Sequence, residues 1–207
     1  MPRVSKAQTE KNRGAIEEAS SRLFREQGLG ASVKDVMGAA GLTHGGFYGH
    51  FGSKDELAAT ACAAAFSSSV ERWRGRMEGA ESRQSAHAAI VEGYLTSHNR
   101  SSPGTSCPIA ALATDVGREP EDKPVRKVFQ VGLEQLIQIL TDVQPISDPG
   151  GARDEALTEL STLVGALVLA RATSGTCLSD EIMNAAKRSL LRAGGVESGR
   201  WGGDFVP

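Results

Sequence analysis

Between Gly41 and Lys54 the chain reads GLTHGGFYGHFGSK. Thr43, Tyr48, His50 and Lys54 place two hydroxyls, a ring nitrogen and an ammonium within one short stretch. All four can donate hydrogen bonds to phosphate oxygens, and such contacts gather near helix N-termini. Interleaved with them are Gly45, Gly46 and Gly49, which weaken a helix by roughly 1 kcal/mol each relative to alanine. That cost is offset where a backbone has to lie close against another surface. A second reactive feature is Cys107 in TSCPIAALATDVGR. The Cys-Pro pair opens an apolar helix and sets the sulfur at its N-terminus, where the helix dipole favours an anionic nucleophile.

Other chemistries lack their residues. The three cysteines, Cys62, Cys107 and Cys177, show no CxxC spacing, which argues against a disulfide framework and a zinc site. No metal-ligand or phosphate-loop motif occurs, so no metal and no cofactor is expected. The formal net charge is −2, but residues 1–54 carry eight Lys/Arg against five Asp/Glu, and the remainder fifteen against twenty. A mildly basic first third on an acidic body suits a local polyanion contact. The basic, polar N-terminus and the shortness of the apolar run LSTLVGALVLARA speak against a signal peptide and a membrane span, so the expected location is cytoplasmic.

The elements that must position these residues read as helices throughout. Ile16, Ala19, Leu23 and Phe24 recur at helical spacing, and Gly28 supplies a stop. Ser32 reads as the N-cap of a short helix carrying Val33, Val36, Met37 and Ala40, which Gly41 ends. A second short helix is predicted from about Thr43 to Phe51, with Phe47 and Phe51 packed inward. Ser53 and Glu56 form a capping box for a long helix carrying Leu57, Phe66, Val70, Trp73 and Met77. Further helices are predicted at about 81–98, 107–116, 121–143, 152–174 and 179–193, with turn-rich breaks between them. No segment alternates as a strand. The fold class is therefore all-α, about nine helices in total: a head at 1–55, a larger body at 56–195 and a flexible tail at 196–207, where Trp201 and Phe205 could dock.

Two short helices joined by a glycine turn and braced by a longer one make a helix-turn-helix, whose second helix enters the major groove of DNA. Residues 8–57, through LFREQGLGASVKDV, AAGLT, GFYGHF and SK, resemble the DNA-binding domain of the tetracycline-repressor (TetR) family of transcription regulators. The resemblance implies that Ser32, Thr43, Tyr48, His50 and Lys54 touch DNA phosphates and that His44, Gly45 and Gly46 face base edges. His44 is the one substantial side chain among the latter. Backbone approach, thymine methyl contacts and DNA shape therefore carry more of the expected readout.

The same resemblance implies a homodimer built from the last two long helices, about 152–174 and 179–193, acting as a repressor on a near-palindromic double-stranded operator. The broad stripe Leu160, Leu163, Val164, Leu167 and Val168 agrees, although burial inside one chain would also account for it. It further implies a body pocket for an unidentified small inducer, with Phe66, Tyr94, His98, Phe129, Leu133 and Arg171 as candidate lining. The stretch around Cys107 is similar to a TetR subgroup that includes an electrophile-responsive repressor. Cys107 reads as a sensor of electrophiles or as a small buried residue at a helix cap. Two other functions stay open: a cysteine-dependent enzyme pairing Cys107 with His87 or His98, and a helical protein-interaction module without DNA binding.

Overall fold

A computed structural model describes residues 5–144 and 149–193. Helix α1 (Lys6–Gln27) starts on Ser5, whose hydroxyl accepts from the Gln8 amide, and buries Ile16, Ala19, Leu23 and Phe24. It stops at Gly28, which has φ 81 and donates its amide to the Phe24 carbonyl. Only glycine fits there on two counts: the backbone is left-handed, and a Cβ would collide with the Asp115 carboxylate. Helix α2 (Val33–Ala39) is capped by Ser32 as expected, its hydroxyl accepting from the Asp35 amide at 3.1 Å. Such a cap contributes about 1 kcal/mol.

The following element departs from expectation. His44–Gly49 is a 3₁₀ turn and not an α-helix running from Thr43 to Phe51. Its bonds run from Gly46 N to Thr43 O and from His50 N to Phe47 O, the i→i+3 pattern. Three glycines in six residues remove the side-chain packing that would favour the looser α-helix. Phe47 and Phe51 nonetheless pack inward, each about 1 % exposed, with stacked rings 5.9 Å apart.

Helix α3 (Lys54–Met77) opens on Ser53, which accepts from the Glu56 amide; Glu56 in turn accepts from Gly52 N, one residue earlier than a reciprocal capping box requires. Leu57, Phe66, Val70 and Trp73 are buried and Met77 partly so. The helix expected over 81–98 is broken. Helix α4 (Arg83–Tyr94) ends where Asn99 Nδ2 donates to the Gly93 and Tyr94 carbonyls, and Thr96 caps a separate short α5 (Ser97–Ser101). Helices α6 (Pro108–Arg118), α7 (Pro124–Val143), α8 (Pro149–Ala172) and α9 (Cys177–Ala193) follow. Proline stands at the first position of both α6 and α7, where its missing N–H costs nothing.

The molecule is all-helical among its described residues. The head of α1, α2 and the 3₁₀ turn packs on α3, which runs on into the body against α7. Gly132 of α7 admits the Phe66 ring where a Cβ would overlap it, and Phe66 meets Phe129 edge-on at 5.2 Å. No described helix is long and apolar enough to cross a membrane. The expected tail at 196–207, with Trp201 and Phe205, lies outside the described residues.

Candidate nucleic-acid interface and body site

The 3₁₀ turn shows its backbone to solvent. Thr43, His44, Gly45, Gly46 and Gly49 are exposed, and Tyr48 is 76 % exposed with its ring edge-on to Phe47 at 5.2 Å. None of the three glycines has a positive φ. A Cβ at Gly45 or Gly49 would meet nothing within 4 Å, and at Gly46 only ordinary contacts with Met37 and Thr43. Neither backbone conformation nor internal packing requires glycine here.

The expected phosphate contacts surround this turn. Thr43 caps it without using its hydroxyl. Lys54 reaches back to the Gly30 carbonyl at 3.3 Å, and the Ser32 hydroxyl is engaged with Asp35. His50 is half-buried, its Nδ1 without a partner among the described residues. One positioning residue was missed in the sequence. Arg13 lies over the Phe51 ring at 4.2 Å, donates to the His50 carbonyl, and is paired with Glu17 at 3.1 Å and Glu56 at 3.6 Å. The Arg13/Glu17 spacing is legible as a helical pair; the clamp on His50, 37 residues away, is not.

In the body the expected pocket residues separate into three places. Cys107, Tyr94 and Arg171 come together. Cys107 is the buried N-cap of α6, and a small void beside it is lined by Tyr94, Trp73, Asn99, Arg72, Arg76 and Leu136, among others. Ser106 next to it accepts at its carbonyl from Arg25 (2.9 Å) and Arg72 (3.4 Å), and at its hydroxyl from Arg171. Phe66, Phe129 and Leu133 sit apart at the α3–α7 contact, the last two lining a shallow groove with Val116 and Arg126. His98 is exposed, 3.5 Å from the Thr105 hydroxyl. His87 is buried and bound to Glu159 at 3.0 Å, so neither histidine stands at Cys107.

Burial lowers the affinity of Arg72, Arg76 and Arg171 for their protons and brings Arg25 to about 10, with Arg72 adding to the effect at Arg25 and Arg76. Burial pushes the Tyr94 phenol well up and the Cys62 thiol to about 12. The head is tied to α6 at its other end as well, since Asp115 accepts the Leu29 amide at 2.9 Å.

The head has the helix-turn-helix arrangement found in DNA-binding domains, set on a larger helical body. Residues 16–61 match the family model described as bacterial regulatory proteins, tetR family. Solved structures agree over nearly the whole chain. A TetR-family regulator from Cytophaga hutchinsonii is 20% identical, with 96% of this chain and 100% of that one covered and a TM-score of 0.75. One from Chloroflexus aurantiacus is 22% identical, covering 90% and 95%, also at 0.75. E. coli NemR in its reduced form is 16% identical, covering 86% and 95%, at 0.72. No curated protein matches the sequence closely enough to count as a relative. Residues 16–61 thus carry a tetR-family domain, and the described chain has the fold of TetR-family regulators.

Proposed function

We propose that the chain is a repressor that binds a near-palindromic operator as a homodimer and releases it when a small molecule or an electrophile acts on the body. The observation that carries the DNA reading is the exposed glycine face of His44–Gly49, which nothing inside the chain requires. Around it Ser32, Thr43, Tyr48, His50 and Lys54 take phosphate contacts, while His44, Gly45 and Gly46 lie against base edges. The head is residues 1–55 and the ligand-receiving body 56–195.

Dimerisation is supported by apolar side chains that one copy leaves outside: Leu157, Val168, Leu169 and Leu178 on α8 and α9. The expected stripe on α8 thus divides. Leu160, Leu163 and Leu167 are core, while Val168 faces out. A two-fold axis through this face sets two heads on successive half-sites.

Release is read as motion of α6. Its N-cap is Cys107, beside Ser106, whose carbonyl accepts from Arg25 of the head's α1, and its last turn carries Asp115, held to the head through Leu29. An adduct at Cys107 therefore displaces both ties. With a quinone, an S–C bond forms by conjugate addition and the thiol proton passes to the quinone oxygen. DNase footprinting upstream of the chain's own gene, with and without quinone or methylglyoxal, tests the whole reading. Two-fold-symmetric protection that quinone abolishes in wild type and spares in Cys107→Ser supports it. Quinone insensitivity of both proteins removes the sensing step and leaves the inducer to be found among small molecules.

A further inference from the structure

Four arginines gather at one corner of the body, with Glu26 and Glu71 close enough to act on Arg25 and Arg72 but beyond ion-pair distance. Arg25 of α1, Arg72 and Arg76 of α3 and Arg171 of α8 are all partly buried and converge on the Ser106–Cys107 corner. Among the described residues none of the four has a carboxylate within ion-pair distance. Their acceptors are neutral: the Ser21, Ser106 and Asn99 carbonyls and the hydroxyls of Ser21, Ser69 and Ser106. Buried charges are ordinarily paired, because leaving one uncompensated is strongly destabilising.

The walls of the void are also unbalanced in hydrogen bonding. They present the guanidinium groups of Arg72 and Arg76, the Tyr94 hydroxyl and the Cys107 thiol, all capable of donating. Tyr94 is 1% exposed and its hydroxyl faces the Cys107 thiol, while the buried Nε of Arg171 has no partner among the described residues. The void itself measures about 10 Å³, close to the least that admits one water-sized group. Arg72 is a shared wall. It also lines an open groove of about 680 Å³ between α1 and α3, whose walls carry Ala15, Ala19 and Ala64 together with Arg22, Arg25, Glu17 and Glu18.

We propose that this arginine cluster binds a small organic oxyanion, its anionic head among Arg72, Arg76, Arg171 and the Tyr94 hydroxyl, and the rest of the molecule along the α1–α3 groove. Guanidinium forks fit the paired oxygens of a carboxylate, and equally those of a phosphate. The lowered proton affinity of all four arginines agrees with charge awaiting a partner. The site names the chemistry of the inducer and so rests on the reading of the body as the ligand-receiving part. Because Arg25 belongs to α1, an anion that draws the arginines from Ser106 loosens the head's hold on α6.

The test is isothermal calorimetry on the DNA-free full chain at constant ionic strength. The probes are benzoate, inorganic phosphate and the neutral benzamide, against wild type, Arg76→Gln and Cys107→Ser. Arg76 forms no ion pair among the described residues, so Arg76→Gln is expected to fold with a higher melting temperature in the absence of anion. Benzoate or phosphate is expected to bind wild type, with the tighter of the two naming the head group. Benzamide is expected not to bind, and Arg76→Gln to lose about tenfold or more in affinity, the worth of one charge-assisted hydrogen bond. Equal binding of benzoate and benzamide, no binding of either anion, or equal anion affinity in Arg76→Gln overturns the site. So does anion binding seen only in Cys107→Ser, which makes the Cys107 side chain the group that closes the site in wild type. No DNA is present, so these failures leave the DNA-binding reading standing, and a failure to bind DNA leaves the anion site standing.

Discussion

Replacing Gly45 by alanine separates folding from DNA approach. The added Cβ meets nothing within 4 Å inside the chain and the backbone there is not left-handed, so no steric or conformational cost arises. The substitution instead narrows the unfolded ensemble, which stabilises by about 0.4–1 kcal/mol. In a chain of this size that raises the melting temperature by about 1–4 °C. On DNA the sign reverses. A methyl group stands about 1.5 Å off the backbone and holds the turn away from the groove, lengthening the phosphate contacts of Thr43 and Tyr48. Weakening one or two hydrogen bonds to charged oxygens costs about 1.5–3 kcal/mol, or roughly ten- to a hundredfold in affinity per head. Gly75→Ala is the control: it lies on α3 far from the turn, with equally open space around it, and is expected to stabilise without touching DNA affinity. Thermal melts and fluorescence anisotropy on the same preparations read both quantities. If Gly45→Ala binds operator as tightly as wild type, close backbone approach is not why glycine is there. If it melts lower than wild type, the turn has an internal need for glycine that its geometry does not reveal.

Three further outcomes follow from particular contacts. Asp115→Ala leaves the Leu29 amide without its acceptor and is expected to cost about 1–3 kcal/mol in denaturant melts while weakening the response of DNA binding to inducer. Cys62 keeps its proton in the folded chain until about pH 12 but ionises near 9.0 once unfolded, so the native state binds more protons in that window and stability falls as pH rises through it. Relative to Cys62→Ala, wild type is therefore expected to lose up to about 1.4 kcal/mol per pH unit above pH 9.0 in alkaline melts, and a parallel pH dependence of the two proteins refutes the assignment. Leu169→Glu puts a charge on the apolar face of α8, where Leu169 is 56 % exposed in one copy, and is expected to shift sedimentation from dimer toward folded monomer.

Local signals carried the head a long way. Ser32, Ser53 and Gly28 announce element ends because capping and left-handed turns are made by residues within a few positions of one another. Phe47 and Phe51 were readable as inward-facing from their spacing. The 3₁₀ form of His44–Gly49 was not, since glycine content lowers helix stability without stating which tighter structure replaces it. The break after Tyr94 also escaped: it depends on Asn99 and Thr96 competing for backbone groups inside an otherwise helical pattern. In the body, Arg72 and Arg76 sit one helical turn apart in plain view. Their meeting with Arg25 and Arg171 is set by tertiary packing, in which Arg25 reaches Ser106 across 81 residues, and periodicity does not report that. Tyr94, Arg171 and Cys107 were named as pocket residues and do come together. His98 and the Phe66, Phe129 and Leu133 group lie elsewhere, because an aromatic or a histidine on a helix does not declare which neighbour it will face.

On the proposed function the His44–Gly49 turn and its flanking hydroxyls read DNA. The most direct measurement is an anisotropy titration of the promoter region upstream of the chain's own gene, at two salt concentrations, for wild type and Tyr48→Ala. The account expects tight binding that exceeds binding to scrambled DNA, weakens steeply with salt as phosphate contacts release counter-ions, and falls sharply in Tyr48→Ala. Absence of binding even at low salt, or binding that Tyr48→Ala leaves unchanged, contradicts it.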